Sequence, residues 1–246
     1  MQMMSMYIQQ IRKLLDRIEQ EGAEAIRRGA DKIASAIENG GIVQIFGCGH
    51  SHILGEEVFY RAGGLAPVRV IFHEPLMLHE GAVTSSQIER KNDYVDSFIE
   101  QEEIRPEDVV IVASTSGKNP VPIDVALSAK EKGAYVIGLT SSAYANEPSR
   151  HKSGKRLWEV VDLVLDNYVE KGDAMIQHPS SSIRYGSAST VIGATIIHSL
   201  MIEVTNRLIE NGYNPPPVFI SGNVEGADEH NQKLVEKYQE RIPLLS

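Results

Sequence analysis

Ile42-Val43-Gln44-Ile45-Phe46-Gly47-Cys48-Gly49-His50-Ser51 is a short apolar strand followed at once by a glycine-rich turn. Four further runs rich in Val, Ile and Leu follow at residues 68–72, 108–113, 135–140 and 160–165, with helical segments between them. Near-continuous apolar strands that alternate with helices are typical of a parallel sheet covered on both faces. The sequence therefore predicts an α/β protein with a doubly wound, flavodoxin-like or Rossmann-like, five-stranded parallel sheet in an α-β-α sandwich.

The flanking segments suggest three parts. Residues 1–40 carry apolar side chains at helical spacing and are expected to form two amphipathic helices that pack on the core or on a partner subunit. Residues 41–212 are expected to form the ligand-binding domain, including a strongly apolar helix over 185–209 that is predicted to be buried. Residues 213–246 are expected to form a proline-rich turn and a final helix over about 228–241.

Composition excludes several classes of function. The 246 residues are 42% hydrophobic and 23% charged, with a net charge of −9, which argues against a nucleic-acid partner. The first ten residues lack the pattern of a signal peptide and the sequence contains no long apolar run, so we expect neither a signal peptide nor a membrane partner. The single cysteine, Cys48, fits a reducing compartment, and a cytoplasmic protein is predicted.

Two strand ends carry the residues of chemical interest. Gly47 to Ser51 follow the first strand, and Ser114-Thr115-Ser116-Gly117-Lys118-Asn119 follow the third. In a parallel sheet such loops lie at one edge, where helix N-termini offer unpaired N–H groups to anions. Serine and glycine are also ordinary helix-capping and turn residues, which is the alternative interpretation of either loop alone. Together the loops indicate a phosphate site.

These two loops, with the helix–Gly133–strand–Thr140 pattern downstream, resemble the sugar-isomerase (SIS) domain family over roughly residues 20–210. The family includes phosphoheptose isomerase, phosphosugar-sensing regulators and stand-alone SIS-domain proteins. The resemblance implies that the chain binds a phosphorylated sugar. The residues implied to bind it are Gly49, His50, Ser51, Ser114, Thr115, Ser116, Gly117 and Asn119. Asn119 stands where the family often has threonine or serine.

The resemblance also suggests catalytic residues. His198 lies on the late apolar helix, as the catalytic histidine of phosphoheptose isomerase does, and is expected to open the sugar ring or transfer a proton. The family's usual glutamate position is Arg61 here, so Glu57 or Glu56, earlier on the same helix, is the candidate base. The family's late-helix glutamine is replaced by Thr190.

Three functions are compatible with these residues. The first is an aldose–ketose isomerase of a phosphosugar, and the second is a non-catalytic phosphosugar sensor. The third is an NAD(P)-dependent oxidoreductase, which is disfavoured because His52 replaces the third glycine of the dinucleotide fingerprint. No organic cofactor is implied, and no carboxylate spacing accompanies His50-x-His52 to suggest a metal. A homodimer or homotetramer is expected.

Overall fold

The computed structural model describes residues 2–246 and contains the predicted sheet. Its strands are β1 (Val43–Gly47), β2 (Val68–Val70), β3 (Val109–Ala113), β4 (Tyr135–Thr140) and β5 (Leu163–Asp166). They run parallel in the order β2-β1-β3-β4-β5, which is the flavodoxin-like order. The predicted five-stranded, doubly wound α/β fold is thereby confirmed.

Helices cover both faces of this sheet. One face carries α1 (Met3–Arg17), α2 (Ala23–Glu38), α3 (Ile53–Val58) and α6 (Ser189–Glu210), and the other carries α4 (Ala82–Ile88) and α5 (Pro120–Glu131). A short hairpin of β6 (Ile176–Gln177) and β7 (Arg184–Tyr185) precedes α6, and α7 (Ala227–Tyr238) follows it. A π-helical turn, Ile18–Gly22, joins α1 to α2. None of the helices in residues 2–246 is both long and apolar enough to cross a membrane.

Alternation along the strands explains why both faces are covered. Ile111 of β3 points into the cluster beneath α2 and α6, whereas Val110 and Val112 point into the cluster beneath α5. All five β3 residues are buried, as expected for a central parallel strand. The carboxyl ends of β1 and β3 therefore lie side by side, with Gly47 in register with Ala113.

The helix after the first loop is shorter than predicted. The sequence suggests that it continues to Gly63–Gly64, but α3 ends at Val58, and Tyr60 has a left-handed φ of 42°. Tertiary contacts compete with the helix here, because the Tyr60 ring packs edge-on against Phe219 and the Gly63 N–H donates to the Phe219 carbonyl at 2.7 Å.

The prediction that the late apolar helix is buried is only partly right. α6 buries one side against α2, α3 and the sheet, but Val191, Ile202 and Ile209 remain 45%, 68% and 47% exposed. Apolar sequence alone does not distinguish a helix buried within one chain from one that keeps a face for another surface.

Candidate functional site

Two glycines shape the loop after β1. A Cβ on Gly47 would lie 2.5 Å from the carbonyl carbon of Ser51, so only glycine lets the chain fold back this closely. Gly49 has a φ of +54°, a left-handed conformation that glycine adopts freely. The Ser51 N–H then donates to the Cys48 carbonyl at 3.0 Å, which opens the short 3₁₀ turn ahead of α3.

The loop after β3 is held by its own backbone. The Gly117 N–H donates to the Ser114 carbonyl at 3.1 Å, and the Ser141 N–H donates to the Thr115 carbonyl at 3.0 Å. Within residues 2–246, the N–H groups of Thr115 and Ser116 make no backbone hydrogen bond. These free donors, beside the half-buried Ser116 hydroxyl, are what a phosphate oxygen requires.

The two loops and the start of α6 enclose one narrow cleft, which we call the cradle. Its polar lining consists of His50, Ser51, Ser114, Thr115, Ser189 and Thr190. The cradle therefore contains four of the eight residues that the resemblance implied for substrate binding. Gly49 and Gly117 shape its loops, and Ser116 lies on the second loop beside it.

The sequence did not indicate that Ser189, at the start of α6, lines the cradle. The side chain of Asp173 caps this helix, accepting from the Ser189 hydroxyl at 2.6 Å and from the N–H groups of Ala188 and Ser189 at 2.8 and 3.0 Å. The signal available in the sequence was Ser187-Ala188-Ser189-Thr190 directly before an apolar run, a helix-start pattern that brings a further N-terminus to the cradle.

Asn119 does not line the cradle. Its side-chain oxygen accepts from Arg150 Nη1 at 2.8 Å, and its side chain also hydrogen-bonds Glu89. Burial raises the pKa of Glu89, while the hydrogen bond with Asn119 and the charges of neighbouring arginines oppose that rise. The amide of Asn119 is thus engaged within the protein, and nothing in the sequence indicated Arg150 or Glu89 as its partners.

The two candidate bases have different partners. His198 Nε2 lies 3.0 Å from Glu57 Oε1, and Arg61 contacts the same oxygen. Glu56 instead lies 3.3 Å from the ring of His52. The hydrogen bond from His198, supported by Arg61, holds the pKa of Glu57 below its usual value despite some burial. Glu57 is therefore the carboxylate brought to His198, and it is ionised near neutral pH.

The Glu57–His198 pair does not belong to the lining of the cradle in its own chain. His198 follows Ser189 by nine residues along α6, which corresponds to about 13.5 Å of helix. The pair also lies at the surface, with side chains 38% and 39% exposed. A proton-transfer group must come within hydrogen-bonding reach of its substrate. Glu57, by contrast, follows the cradle residue Leu54 by only three residues along α3, about 4.5 Å of helix.

Burial shifts the pKa values of two titratable side chains outside the cradle and the pair, His73 and Cys48. His73 stacks on Phe98 with ring centroids 4.2 Å apart and lies 2.9 Å from the Tyr94 hydroxyl, and burial lowers the pKa of His73. Burial also raises the pKa of the Cys48 thiol well above its usual value, which disfavours a reactive thiolate. In residues 2–246 no cluster of three or more His, Cys, Asp or Glu side chains could hold a metal ion.

Comparison with known proteins identifies the family. The SIS domain model matches residues 6–141. The chain is 58% identical to a UPF0309 protein of Geobacillus kaustophilus, over 99% of this chain and 97% of that one. Among solved structures, the phosphoheptose isomerase of Neisseria gonorrhoeae superposes with a TM-score of 0.54 at 14% identity, covering 82% of this chain and 97% of that one. The Vibrio vulnificus NanR protein complexed with ManNAc-6P gives 0.50 at 15% identity, covering 99% and 70%. The chain carrying this cradle and this Glu57–His198 pair belongs to the SIS domain family and, within it, to the UPF0309 proteins.

Proposed function

We propose that the protein binds a phosphorylated sugar in the cradle and interconverts its aldose and ketose forms. The observation that carries the proposal is the cradle itself, in which the loops after β1 and β3 meet and the N–H groups of Thr115 and Ser116 are free, in a protein of net charge −9. Because the overall charge repels anions, local donors of this kind must supply the attraction. The phosphoheptose isomerase and the ManNAc-6P complex of NanR support a sugar phosphate as the ligand class.

The Glu57–His198 pair has the groups that an isomerisation needs. Glu57, ionised, takes the proton from C2 of the open-chain aldose and leaves an enediolate. His198 moves a proton from O2 to O1, and Glu57 delivers to C1 the proton that it took from C2, which gives the ketose. Atoms and charge balance without a cofactor. In the free protein His198 and Arg61 hold the pKa of Glu57 below its usual value, so the carboxylate is ionised, and the same two contacts make it a weaker base.

The phosphate contact is tested with Ser51→Ala. A sugar phosphate present at a hundred times its Kd should stabilise the wild type by about 2.7 kcal/mol. In a protein of this size that corresponds to a Tm rise of roughly 5–10 °C. Loss of the Ser51 hydroxyl, one charge-assisted hydrogen bond, is expected to raise Kd about tenfold or more. The measurement is a thermal-shift titration with hexose, amino-sugar and heptose phosphates.

Ser128→Ala serves as the matched control, because Ser128 is also a half-buried serine but lies on α5, outside the cradle. The control variant should bind like the wild type. Equal affinities of Ser51→Ala and the wild type for every phosphate that stabilises the protein would remove the cradle from the proposal.

A phosphosugar sensor without turnover is the second candidate. One observation favours it. Arg61 stands at the family's glutamate position and forms an ion pair with Glu57, the carboxylate that contacts His198. Both candidates predict the same ligand class and the same effect of Ser51→Ala. They separate on one measurement, which is whether a bound sugar phosphate is converted between its aldose and ketose forms.

We further propose that the protein works as a homo-oligomer with α6 at the interface. The exposed face of α6 carries Val191, Thr195, His198, Ile202, Thr205 and Ile209. Their spacing of four, three, four, three and four residues is that of a helix seam that packs on another helix. We call this face the α6 seam. A second copy packed antiparallel along the α6 seam would cover Val191, the neighbour of the cradle residue Thr190.

Ile202→Glu tests this assembly. Ile202 is the most exposed apolar residue of the α6 seam, at 68%, and a buried carboxylate without a partner is costly. The variant is expected to raise the dissociation constant of the oligomer at least tenfold while remaining folded. Sedimentation velocity measures the change, and Val83→Glu, an exposed apolar residue of α4 at 73%, is the control. A monomeric wild type would end this part of the proposal.

A further inference from the structure

We propose that His151 is a positioning residue, which fixes segment 147–157 on the loop after β3 and thereby sets the affinity of the cradle for phosphate. The inference rests on the proposed function, since it concerns the same cradle. It adds a residue that neither loop contains and that no resemblance pointed to.

His151 is the buried centre of an otherwise polar segment. Its side chain is 2% exposed, with Nε2 2.7 Å from Asp124 Oδ1 and Nδ1 2.7 Å from the Ser153 hydroxyl. Asp124 belongs to α5, the helix that begins directly after the phosphate loop. The second carboxylate oxygen of Asp124 is buried and has no hydrogen-bond partner in residues 2–246. His151 is therefore the group that satisfies this carboxylate, and it ties the segment to the base of the loop.

The segment held by His151 binds three consecutive residues of the loop. The Leu157 N–H donates to the Gly117 carbonyl at 2.8 Å, and the Arg150 N–H donates to the Lys118 carbonyl at 2.9 Å. The Arg150 side chain donates to Asn119 at 2.8 Å. The chain on both sides of His151 thus holds residues 117–119, while the free N–H groups of Thr115 and Ser116 lie just ahead of them.

These contacts give His151 a role in affinity rather than in chemistry. Free N–H groups bind an anion well only when the backbone that carries them is already in the binding conformation, because ordering a loop on binding lowers affinity. Releasing segment 147–157 removes the hydrogen bonds that hold residues 117–119. The loop after β3 then becomes more mobile, and the phosphate must order it.

The test compares His151→Ala with His151→Gln, using inorganic phosphate as the probe. His151→Ala is expected to weaken phosphate binding at least tenfold in a titration followed by calorimetry. It should also speed amide hydrogen exchange over residues 114–119. Glutamine can still donate to Asp124, so His151→Gln should recover most of both properties. If the alanine variant does not fold, the double variant Asp124→Ala/His151→Ala, which leaves no unpaired carboxylate, is expected to show the same losses.

Leu234→Ala separates positioning from general destabilisation. Leu234 packs in the cluster around α7, away from the cradle, and its loss should lower Tm without changing phosphate affinity or exchange over residues 114–119. If amide hydrogen exchange over residues 114–119 is the same in His151→Ala and in the double variant as in the wild type, the inference is overturned, whether or not the wild type binds phosphate. Faster exchange in a protein whose wild type binds no phosphate would overturn the proposed function, and with it the claim about affinity.

Discussion

Replacing His198 by alanine is expected to lower kcat/KM for aldose–ketose isomerisation by a factor of at least about 100, with phosphate affinity unchanged. Proton transfer by a positioned side chain contributes roughly 10² to 10⁴ in rate. His198 is the hydrogen-bond partner of Glu57, the carboxylate proposed as the base. The readout is turnover of whichever sugar phosphate stabilises the wild type, together with its Kd.

Two glutamates on one helix provide the control for this prediction. Glu57→Gln should lose activity to a similar extent, because the amide cannot take a proton from carbon. Glu56→Gln should retain activity, because Glu56 contacts His52 rather than His198. An active His198→Ala, or equal losses in both glutamate variants, would contradict the assignment of the pair.

The same variant has a second readout that does not depend on turnover. His198 is the main cause of the lowered pKa of Glu57, so removing His198 should move that pKa up towards the ordinary carboxyl value, with Arg61 limiting the rise. Glu57 would then take up its proton at a higher pH than in the wild type. A carboxyl NMR titration of Glu57 in the two proteins measures the shift.

Mixing two variant proteins tests whether the Glu57–His198 pair acts on the cradle of its own subunit or on that of the partner subunit. Ser51→Ala damages the cradle, and His198→Ala damages the pair, so each variant alone should be weakly active. If the pair of one subunit serves the cradle of its partner, mixed oligomers contain some sites with neither defect, and activity should rise on mixing. If the pair serves its own cradle, the mixed oligomer instead contains sites that each carry one defect, and activity should not rise.

The sequence predicted the sheet well because its signal is local. Each strand is a run of β-branched and aliphatic residues, and the edge at which loops meet follows from parallel order alone. The cradle loops were recognisable for the same reason, since glycine and serine at fixed offsets are visible in the chain. Ser189 was not predicted as a cradle residue, because its place there depends on the three-dimensional position of the N-terminus of α6.

The features that the sequence did not indicate depend on contacts between distant segments. The hydrogen bond between Asn119 and Arg150 depends on the path of a loop some thirty residues later. The end of α3 is set by Phe219, and the choice between Glu56 and Glu57 by the rotation of α3 relative to α6. Spacing along the chain does not determine these relations, so sequence reasoning left them open or misjudged them.

Gly47→Ala is expected to abolish measurable phosphate binding and to lower stability by about 2 kcal/mol or more, in the upper part of the range for overpacked sites. The added Cβ would lie 2.5 Å from the Ser51 carbonyl carbon, 2.6 Å from its oxygen and 2.8 Å from the His52 nitrogen. All three atoms are backbone, so no side-chain rotation relieves the clash. For a protein of this size the expected fall in Tm is roughly 4–8 °C.

Relief of that clash must come from the loop that carries Ser51. The strand side cannot move, because β1 is paired with both β2 and β3 and Gly47 is in register with Ala113. Gly222→Ala is the matched control, since a Cβ there meets nothing within 4 Å and should leave Tm and affinity unchanged. Circular dichroism melting and phosphate titration measure both variants. If Gly47→Ala binds phosphate with the affinity of the wild type, the loop can shift without weakening binding, and the position of Ser51 does not determine affinity. If phosphate affinity falls by more than the loss of folded protein explains, the phosphate binds at this loop.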